Sequence, residues 1–131
     1  MTPAGLVVIG VGIDAVDVDR YRRVLERTPG IAARTFTEGE LGYARLVADP
    51  TQRLAARFAA KEAAMKALGV GLGACRLHDL EVVRAEGGAP ALVLHGAATA
   101  LAAALGVDRL LLSMTHTDLT AQAIVLAGCA R

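Results

Sequence analysis

The sequence predicts an α+β domain in which a mostly antiparallel sheet packs against helices. Three observations lead to this class. Strong helix formers run without interruption over residues 57–69 and end at a glycine. Two short apolar runs on either side of a glycine and proline turn predict a β-hairpin within residues 79–95. A second strand pair follows near the end of the chain, so the predicted order is β-α-α-α-β-β-α-β-β.

Length and composition limit what the domain can be. The 131 residues suffice for one domain with one core, and we assign residues 1–131 to it. Hydrophobic residues make up 54% of the chain but aromatic residues only 3%, so the core must consist of thin side chains. Small domains with such cores often gain stability by oligomerising. The net charge of +1 gives no overall field that attracts nucleic acid or membranes, and we expect neither as a partner.

The sequence also predicts a cytoplasmic location. No basic region precedes the N-terminal apolar run, and no apolar segment is long enough to cross a bilayer. Cys75 and Cys129 lack the C-x-x-C spacing of a redox site, so free thiols in a reducing compartment are expected.

The first predicted strand covers residues 6–13 and ends at Asp14. The run is short, apolar and rich in β-branched residues, which is typical of a buried strand. A carboxylate at the end of such a strand is a candidate functional group. The alternative for Asp14 is a helix N-cap, and Asp17 competes for that role.

The next segment, residues 18–27, is predicted to be an amphipathic helix that is stopped by Pro29 and Gly30. Three arginines share its polar face and form what we call the arginine stripe: Arg20, Arg23 and Arg27. A solvated charged face is the ordinary explanation. Because only Glu26 relieves the positive charge, docking to an acidic partner is the second hypothesis.

Caps and breakers define the remaining elements. Thr37 and Glu40 fit a capping box for a short helix, and Thr51 is a candidate cap for the central helix. A turn over residues 86–90 joins the two hairpin strands. A helix over residues 97–105 closes at Gly106, and the last two strands, 110–116 and 121–126, flank a turn at 117–118.

The central helix is predicted to lie between other elements, because it is apolar on one face and lined with small alanines on another. Its charges are therefore informative. Lys61 projects from the apolar face, and Glu62 and Lys66 lie one turn apart at its edge. The ordinary explanation is that Lys61 extends to solvent and that Glu62 and Lys66 form a helix-surface pair worth about 0.2–0.5 kcal/mol. The alternative is a functional site.

Several common motifs are excluded. Residues 10–15 match G-x-G-x-x-A, but a dinucleotide site needs a parallel β-α-β unit, which the predicted order does not supply. No phosphate-binding P-loop is present, the histidines and cysteines are too scattered for zinc, and Ser113 with His116 does not make a hydrolase triad. What remains is hard-cation chemistry. Asp14 and Glu62, with nearby lysines, are a reasonable set for Mg²⁺ and phosphoryl transfer.

Three blocks of the sequence carry a family resemblance. They are residues 10–14 with Asp17 and Arg20, residues 57–63 with Lys66, and residues 113–117. In this order and spacing, the chain resembles the holo-acyl-carrier-protein synthases, the small 4′-phosphopantetheinyl transferases. The resemblance covers nearly the whole chain, and the F-A-A-K-E-A block with a lysine four residues after the glutamate is its most specific part.

The resemblance implies a fold, a reaction and a role in fatty acid biosynthesis. The fold would be a single 4′-phosphopantetheinyl transferase unit. Coenzyme A would donate its phosphopantetheine arm to a serine of apo acyl carrier protein, releasing adenosine 3′,5′-bisphosphate. In the family Mg²⁺, with Mn²⁺ as the alternative ion, bridges the pyrophosphate and two carboxylates, which match Asp14 and Glu62. A lysine, a carboxylate or a metal-bound water would remove the serine proton, and the sequence leaves these three open.

The resemblance also implies roles for other residues and an assembly. Lys66 would assist proton transfer or stabilise charge, and four residues would contact the cofactor: Arg57, Lys61, His116 and Thr117. The arginine stripe would meet the acidic helix of the carrier protein. The family type is a homotrimer with clefts between subunits. Two departures are noted: Ala89 replaces the basic residue that usually precedes the turn proline, and residues 46–51 lack a lysine-arginine cluster, for which Gln52 and Arg53 are candidate substitutes.

Two further hypotheses belong to other classes. A catalytically silent trimeric adaptor would bind acidic partners through Arg20 and its neighbours without needing coenzyme A or metal. A small nucleotide-binding module would bind coenzyme A or adenine nucleotides without transfer. The combination of Asp14, Glu62 and Lys66 argues against both.

Overall fold

The computed structural model describes residues 5–71, 73–84 and 87–131, and it confirms the α+β class with antiparallel strands. The elements are, in chain order, β1 (Leu6–Asp17), α1 (Val18–Arg27), α2 (Ile31–Thr35), α3 (Glu38–Ala44), α4 (Thr51–Ala67), β2 (Leu80–Arg84), β3 (Pro90–Leu94), α5 (Gly96–Ala104), β4 (Arg109–His116) and β5 (Thr120–Ala130). A short 3₁₀ turn, Leu77–Asp79, precedes β2. Glu86, the first residue of the predicted hairpin turn, lies outside the described residues.

The strands form two antiparallel groups. One is a three-stranded sheet in the order β1-β5-β4, and the other is the predicted hairpin of β2 and β3. The register places Asp14 opposite Ala123 of β5, which in turn lies opposite Met114 of β4.

Strand β1 is longer than the sequence predicted, and Asp14 lies inside it rather than at its end. The last residues of β1 pair with the start of β5, down to Asp17 opposite Thr120. Backbone pairing with the distant strand β5 outweighs the low strand propensity of Asp14 and Asp17, which locally favours the end of a strand. Asp17 provides the cap of α1, since its Oδ1 accepts a hydrogen bond from the Arg20 backbone N–H at 2.8 Å.

The helical segment between α1 and α4 contains one more helix than predicted. Five-residue α2 was not predicted, whereas the capping box of α3 is confirmed: Thr37 accepts from the Glu40 N–H, and Glu40 accepts from the Thr37 N–H. Thr51 is the first residue of α4 rather than its cap, and its N–H donates to Asp49 Oδ1 at 3.0 Å. Helix α4 ends just before Gly69, whose φ of 70° only glycine adopts readily.

Helix α4 packs its alanine face directly on the backbone of β1. A Cβ added at Gly10 would fall on the carbonyl oxygen of Ala67, and one added at Gly12 would fall on the carbonyl oxygen of Ala63. The helix and the strand are therefore closer than any side chain at these two strand positions allows. All seven alanines of this helix are at most 4% exposed: Ala55, Ala56, Ala59, Ala60, Ala63, Ala64 and Ala67.

The opposite face of the three-stranded sheet is apolar and uncovered in the single chain. Val11 is 58% exposed and Ile13 63% exposed on β1, and Ile124 of β5, which pairs with Ile13, is 40% exposed. We call this surface, with Val7 and Ile9, the open sheet face. Contiguous exposed apolar surface of this kind marks an interaction site in most proteins. Among the described residues, no helix has the length and apolar character needed to span a membrane.

The close approach of α4 to β1 predicts that Gly12→Ala is strongly destabilising. The added methyl group must displace the α4 backbone, so we expect the free energy of unfolding to fall by roughly 1–3 kcal/mol or more. Gly42→Ala is the matched control, because Gly42 lies inside α3 with no atom within 4 Å of its added Cβ. It should raise stability by about 0.5–1 kcal/mol. Urea unfolding at one fixed protein concentration measures both variants, and a similar small effect of the two would contradict the close approach.

Candidate active site

Two acidic side chains from different elements line one cavity. Asp14 of β1 and Glu62 of α4 both face a cavity of about 350 Å³. The Asp14 side chain is 19% exposed, and Glu62 is half-buried. The stacked rings of Tyr21 and Phe58, with centroids 4.9 Å apart, form part of the apolar wall. We call this the carboxylate cavity. It brings together the two residues that the sequence proposed as metal ligands.

The electrostatics of the carboxylate cavity fit a cation. Burial raises the pKa of the Glu62 carboxyl, and the negative charge of Asp14 raises it further, while Lys66 opposes both. A divalent ion beside both carboxylates would favour the charged form of Glu62. In the described residues, no group of three or more His, Cys, Asp or Glu side chains is placed to hold a metal. An ion held by this pair would therefore need water or substrate oxygens as its other ligands, which is the habit of Mg²⁺.

Lys66 joins the same site through the strand. Its Nζ donates to the Ile13 carbonyl oxygen at 2.9 Å and to Asp14 Oδ1 at 3.2 Å. The lysine therefore pairs with Asp14 of β1 and not with Glu62 of its own helix, contrary to the ordinary helix-surface explanation. Since Lys66 remains 54% exposed, its ammonium can contact both Asp14 and a ligand in the cavity.

Lys61 has a different position from the one expected of a cofactor contact. Its side chain is fully buried, and its Nζ donates to Glu40 Oε1 at 2.8 Å and to the carbonyl oxygens of Leu77 and Leu80 at 2.9 and 2.8 Å. An ammonium has three hydrogens, and all three are used. Lys61 therefore joins α4 to α3 and to the start of β2, and the expectation that it contacts phosphate is not supported.

A second cavity, of about 580 Å³, lies beside the N-terminal half of α4 and is rich in arginine. Arg57, Arg53 and Arg84 line it together with His116. We call it the arginine cavity. Arg57 is only 3% exposed, and its buried Nε has no hydrogen-bond partner among the described residues. A buried guanidinium with an unused donor, facing a cavity, is suited to bind an anion such as phosphate.

The two cavities have no described lining residue in common. Helix α4 contributes to both of them, with Arg57 in the arginine cavity and Glu62 in the carboxylate cavity. A single chain therefore presents the predicted metal ligands and the predicted phosphate contacts at two separate places.

The remaining predicted site residues lie at the surface. His116 ends β4, is exposed and lines the arginine cavity. Thr117 begins the turn between β4 and β5, where its hydroxyl accepts hydrogen bonds from the backbone N–H groups of Leu119 and Thr120 at 3.2 and 3.1 Å. It is not among the residues that line the arginine cavity.

All three members of the arginine stripe are exposed on α1, and Arg20 also lines the carboxylate cavity. Arg22, outside the stripe, is paired with Asp19 and Asp49.

The sequence analysis missed Tyr43 and Arg84. Tyr43 of α3 contacts three arginines of the arginine cavity, and Arg84 was read only as the last residue of a strand. The one available signal for Tyr43 was that the chain has only four aromatic residues. Tyr43 and Arg84 are 41 positions apart, so no local sequence pattern could indicate that both line the same cavity as Arg57.

Comparison with known proteins gives a consistent result. The family model described as the 4′-phosphopantetheinyl transferase superfamily matches residues 10–124. A holo-[acyl-carrier-protein] synthase of Frankia casuarinae is 51% identical over 93% of the chain and 98% of that protein, and one of Moorella thermoacetica is 45% identical over 88% and 90%. The crystal structure of the Neisseria meningitidis synthase is 32% identical with a TM-score of 0.84, and covers 92% of this chain and 98% of that one. A Bacillus anthracis synthase in complex with CoA (3′,5′-ADP) has a TM-score of 0.78 at 29% identity, over 96% of this chain and 100% of that one.

Proposed function

The chain belongs to the 4′-phosphopantetheinyl transferase superfamily, and from this membership we infer that it has the activity of a holo-[acyl-carrier-protein] synthase. It transfers 4′-phosphopantetheine from coenzyme A to a serine of apo acyl carrier protein. The serine oxygen forms a bond to the β-phosphorus of coenzyme A, the bond from this phosphorus to the bridging oxygen of the pyrophosphate breaks, and adenosine 3′,5′-bisphosphate leaves. The serine proton passes to a base. The pairing of Asp14 with Glu62 in one cavity is the observation that best supports this chemistry.

We propose that Asp14 and Glu62 hold Mg²⁺, for which Mn²⁺ is the alternative. Bound there, the ion would neutralise charge on the pyrophosphate of coenzyme A as the phosphoryl group is transferred. Lys66 keeps the Asp14 carboxylate in place through its hydrogen bond and leaves its charge at the edge of the cavity. In this position the ammonium would stabilise charge on the leaving phosphate, or, after first losing a proton, the neutral amine would accept the serine proton.

The arginine cavity is proposed to bind the nucleotide part of coenzyme A. Arg57 supplies a buried donor that has no partner in the described part of the chain, and His116 lines the same cavity. Thr117 follows His116 directly and is the weaker of the predicted contacts, since the turn uses its hydroxyl oxygen as an acceptor. Its hydroxyl hydrogen is directed to the Thr120 carbonyl oxygen at 3.5 Å, a long hydrogen bond that a phosphate oxygen would have to replace.

Because the two cavities are separate in one chain, we propose that one coenzyme A is bound between two copies. One copy would supply the carboxylate cavity and its neighbour the arginine cavity, in a homotrimer. The open sheet face supports this proposal, because an apolar surface formed by residues such as Val11 and Ile13 would be buried between copies. Cys75 and Cys129 are free, which agrees with a cytoplasmic location.

Glu62→Gln should abolish transfer while the fold is retained. The amide keeps the shape of the side chain but removes the charge that holds the cation, so we expect the rate to fall by roughly 10²-fold or more. Mass spectrometry of apo carrier protein incubated with coenzyme A and Mg²⁺ detects the product. Glu38→Gln, at an exposed position of α3, is the control and should keep full activity. Full activity of Glu62→Gln would refute the metal role. If the wild-type protein binds coenzyme A but transfers nothing to any carrier protein, the alternative hypothesis of a nucleotide-binding module would be favoured instead.

A site shared between copies predicts complementation. Glu62→Gln and Arg57→Gln chains should each be inactive alone, yet regain activity when co-expressed, because some sites combine an intact Glu62 from one copy with an intact Arg57 from its neighbour. Random mixing of equal amounts would restore about a quarter of the sites. Size-exclusion chromatography with light scattering verifies that each variant assembles. If the mixed assemblies remain inactive, Glu62 and Arg57 of the same chain must act on one coenzyme A molecule, and the proposal of a shared site would be refuted.

The arginine stripe is proposed to dock the acidic helix of the carrier protein. Arg23→Glu should raise the KM for carrier protein by about 3–10-fold and leave the KM for coenzyme A unchanged, because reversing a rim charge weakens encounter rather than chemistry. Arg76→Glu changes the charge equally at an exposed position outside the stripe. Equal effects of the two variants would indicate a general charge effect and not a docking surface.

A further inference from the structure

Tyr43 lies at the centre of the arginine cavity and contacts all three of its arginines. The Cζ atoms of Arg53 and Arg57 lie over the Tyr43 ring at 4.2 and 4.3 Å from its centroid, and that of Arg84 lies at 5.4 Å. Polar atoms of the tyrosine add two hydrogen bonds. Its backbone carbonyl oxygen accepts from Arg53 Nη1 at 2.8 Å, and its hydroxyl accepts from Arg84 Nη1 at 3.3 Å.

The three guanidinium groups carry like charges at one cavity. Within the described chain, none of them forms a salt bridge with an acidic side chain. Asp49 lines the same cavity, but its oxygens accept from Arg22 and from the Thr51 N–H. Burial lowers the pKa of Arg57, Tyr43 and Glu40 oppose this change, and the charges of Arg84 and Arg53 lower the pKa further. Like charges held this close repel, so something must hold them in place.

The Tyr43 ring is suited to hold them. The negative faces of the ring attract guanidinium groups. The ring also imposes a fixed geometry, because an aromatic side chain has few rotamers. With the three groups already arranged around one ring, less side-chain entropy is lost when an anion binds.

We propose that Tyr43 is a positioning residue for this cavity, which acts through Arg53, Arg57 and Arg84 and sets the preference of the enzyme for a ligand bearing a 3′-phosphate. This proposal rests on the proposed binding of coenzyme A and specifies how the nucleotide end is recognised. Tyr43 itself makes no contact with the phosphate in this scheme. Its role is to hold the guanidinium groups where a phosphate dianion can meet more than one of them.

Calorimetry with adenosine 3′,5′-bisphosphate and adenosine 5′-monophosphate as probes separates this role from catalysis. Wild-type protein should bind the bisphosphate more tightly. Tyr43→Leu removes the ring and should reduce that preference by roughly fivefold, the factor that corresponds to the loss of one cation–π contact of about 1 kcal/mol. Tyr43→Phe keeps the ring and loses only the hydroxyl, so it should retain most of the preference. In the transfer assay, Tyr43→Leu should raise the KM for coenzyme A and leave kcat within about twofold, because the reacting phosphate lies in the other cavity.

One control variant and one replacement variant complete the experiment. Arg45→Ala removes a guanidinium from the end of the same helix but outside the cavity, and it should change neither affinity. Tyr43→Met replaces Tyr43→Leu if circular dichroism shows that the leucine variant is unfolded. An unchanged preference for the 3′-phosphate in a folded ring-less variant would overturn the proposal, as would a loss in Tyr43→Phe equal to that in Tyr43→Leu. Because the calorimetry needs no carrier protein, failure of transfer in the wild type would count against the proposed function alone.

Discussion

The contact between the alanine face of α4 and the glycines of β1 is the constraint on which the rest of the structure depends. Gly10 and Gly12 allow the helix backbone to lie against the strand backbone, and any larger residue at either position would push them apart. This proximity places Glu62 in one cavity with Asp14 and lets Lys66 reach the Ile13 carbonyl oxygen. If the helix and the strand were further apart by the thickness of one side chain, Glu62 would no longer share a cavity with Asp14. Lys66 would no longer reach the Ile13 carbonyl oxygen. The geometry of the acidic pair therefore originates in residues that have no side chains of their own.

The other side of α4 is fixed by the buried pair of Lys61 and Glu40. A buried ion pair contributes little net stability unless its hydrogen bonds are complete, and here they are. Lys61 uses all its donors, and Glu40 accepts in addition from the backbone N–H groups of Thr37 and Val82. The pair thus connects α4 to the hairpin and to α3. Because α3 also carries Tyr43, the same connection positions the ring against the arginines of the second cavity.

Local signals in the sequence predicted the fold well, and non-local contacts account for what they missed. The Thr37 and Glu40 capping box and the end of α4 at Gly69 depend on a few adjacent residues, and both are confirmed. The length of β1 depends on pairing with β5 more than a hundred residues away, so its end was placed too early. For the site, the residue types and then the family resemblance selected Asp14 and Glu62, while the partner of Lys61 and the role of Tyr43 depend on which elements meet in space. The periodicity of a sequence gives no information about contacts between distant elements. Helix spacing alone paired Lys66 with Glu62, whereas its partner in the structure is Asp14.

The arrangement of β1 has a consequence for the life of the newly made chain. Of the described strands, β1 pairs only with β5, so its outer edge carries unpaired backbone groups next to the exposed Val11 and Ile13. A long edge strand beside an apolar surface is a template for aggregation. The charges of Asp14 and Asp17 and the irregular pairing between Val8 and Gly10 interrupt this edge, but only in part. If copies assemble through this surface as proposed, rapid assembly would also protect the newly folded chain from aggregation.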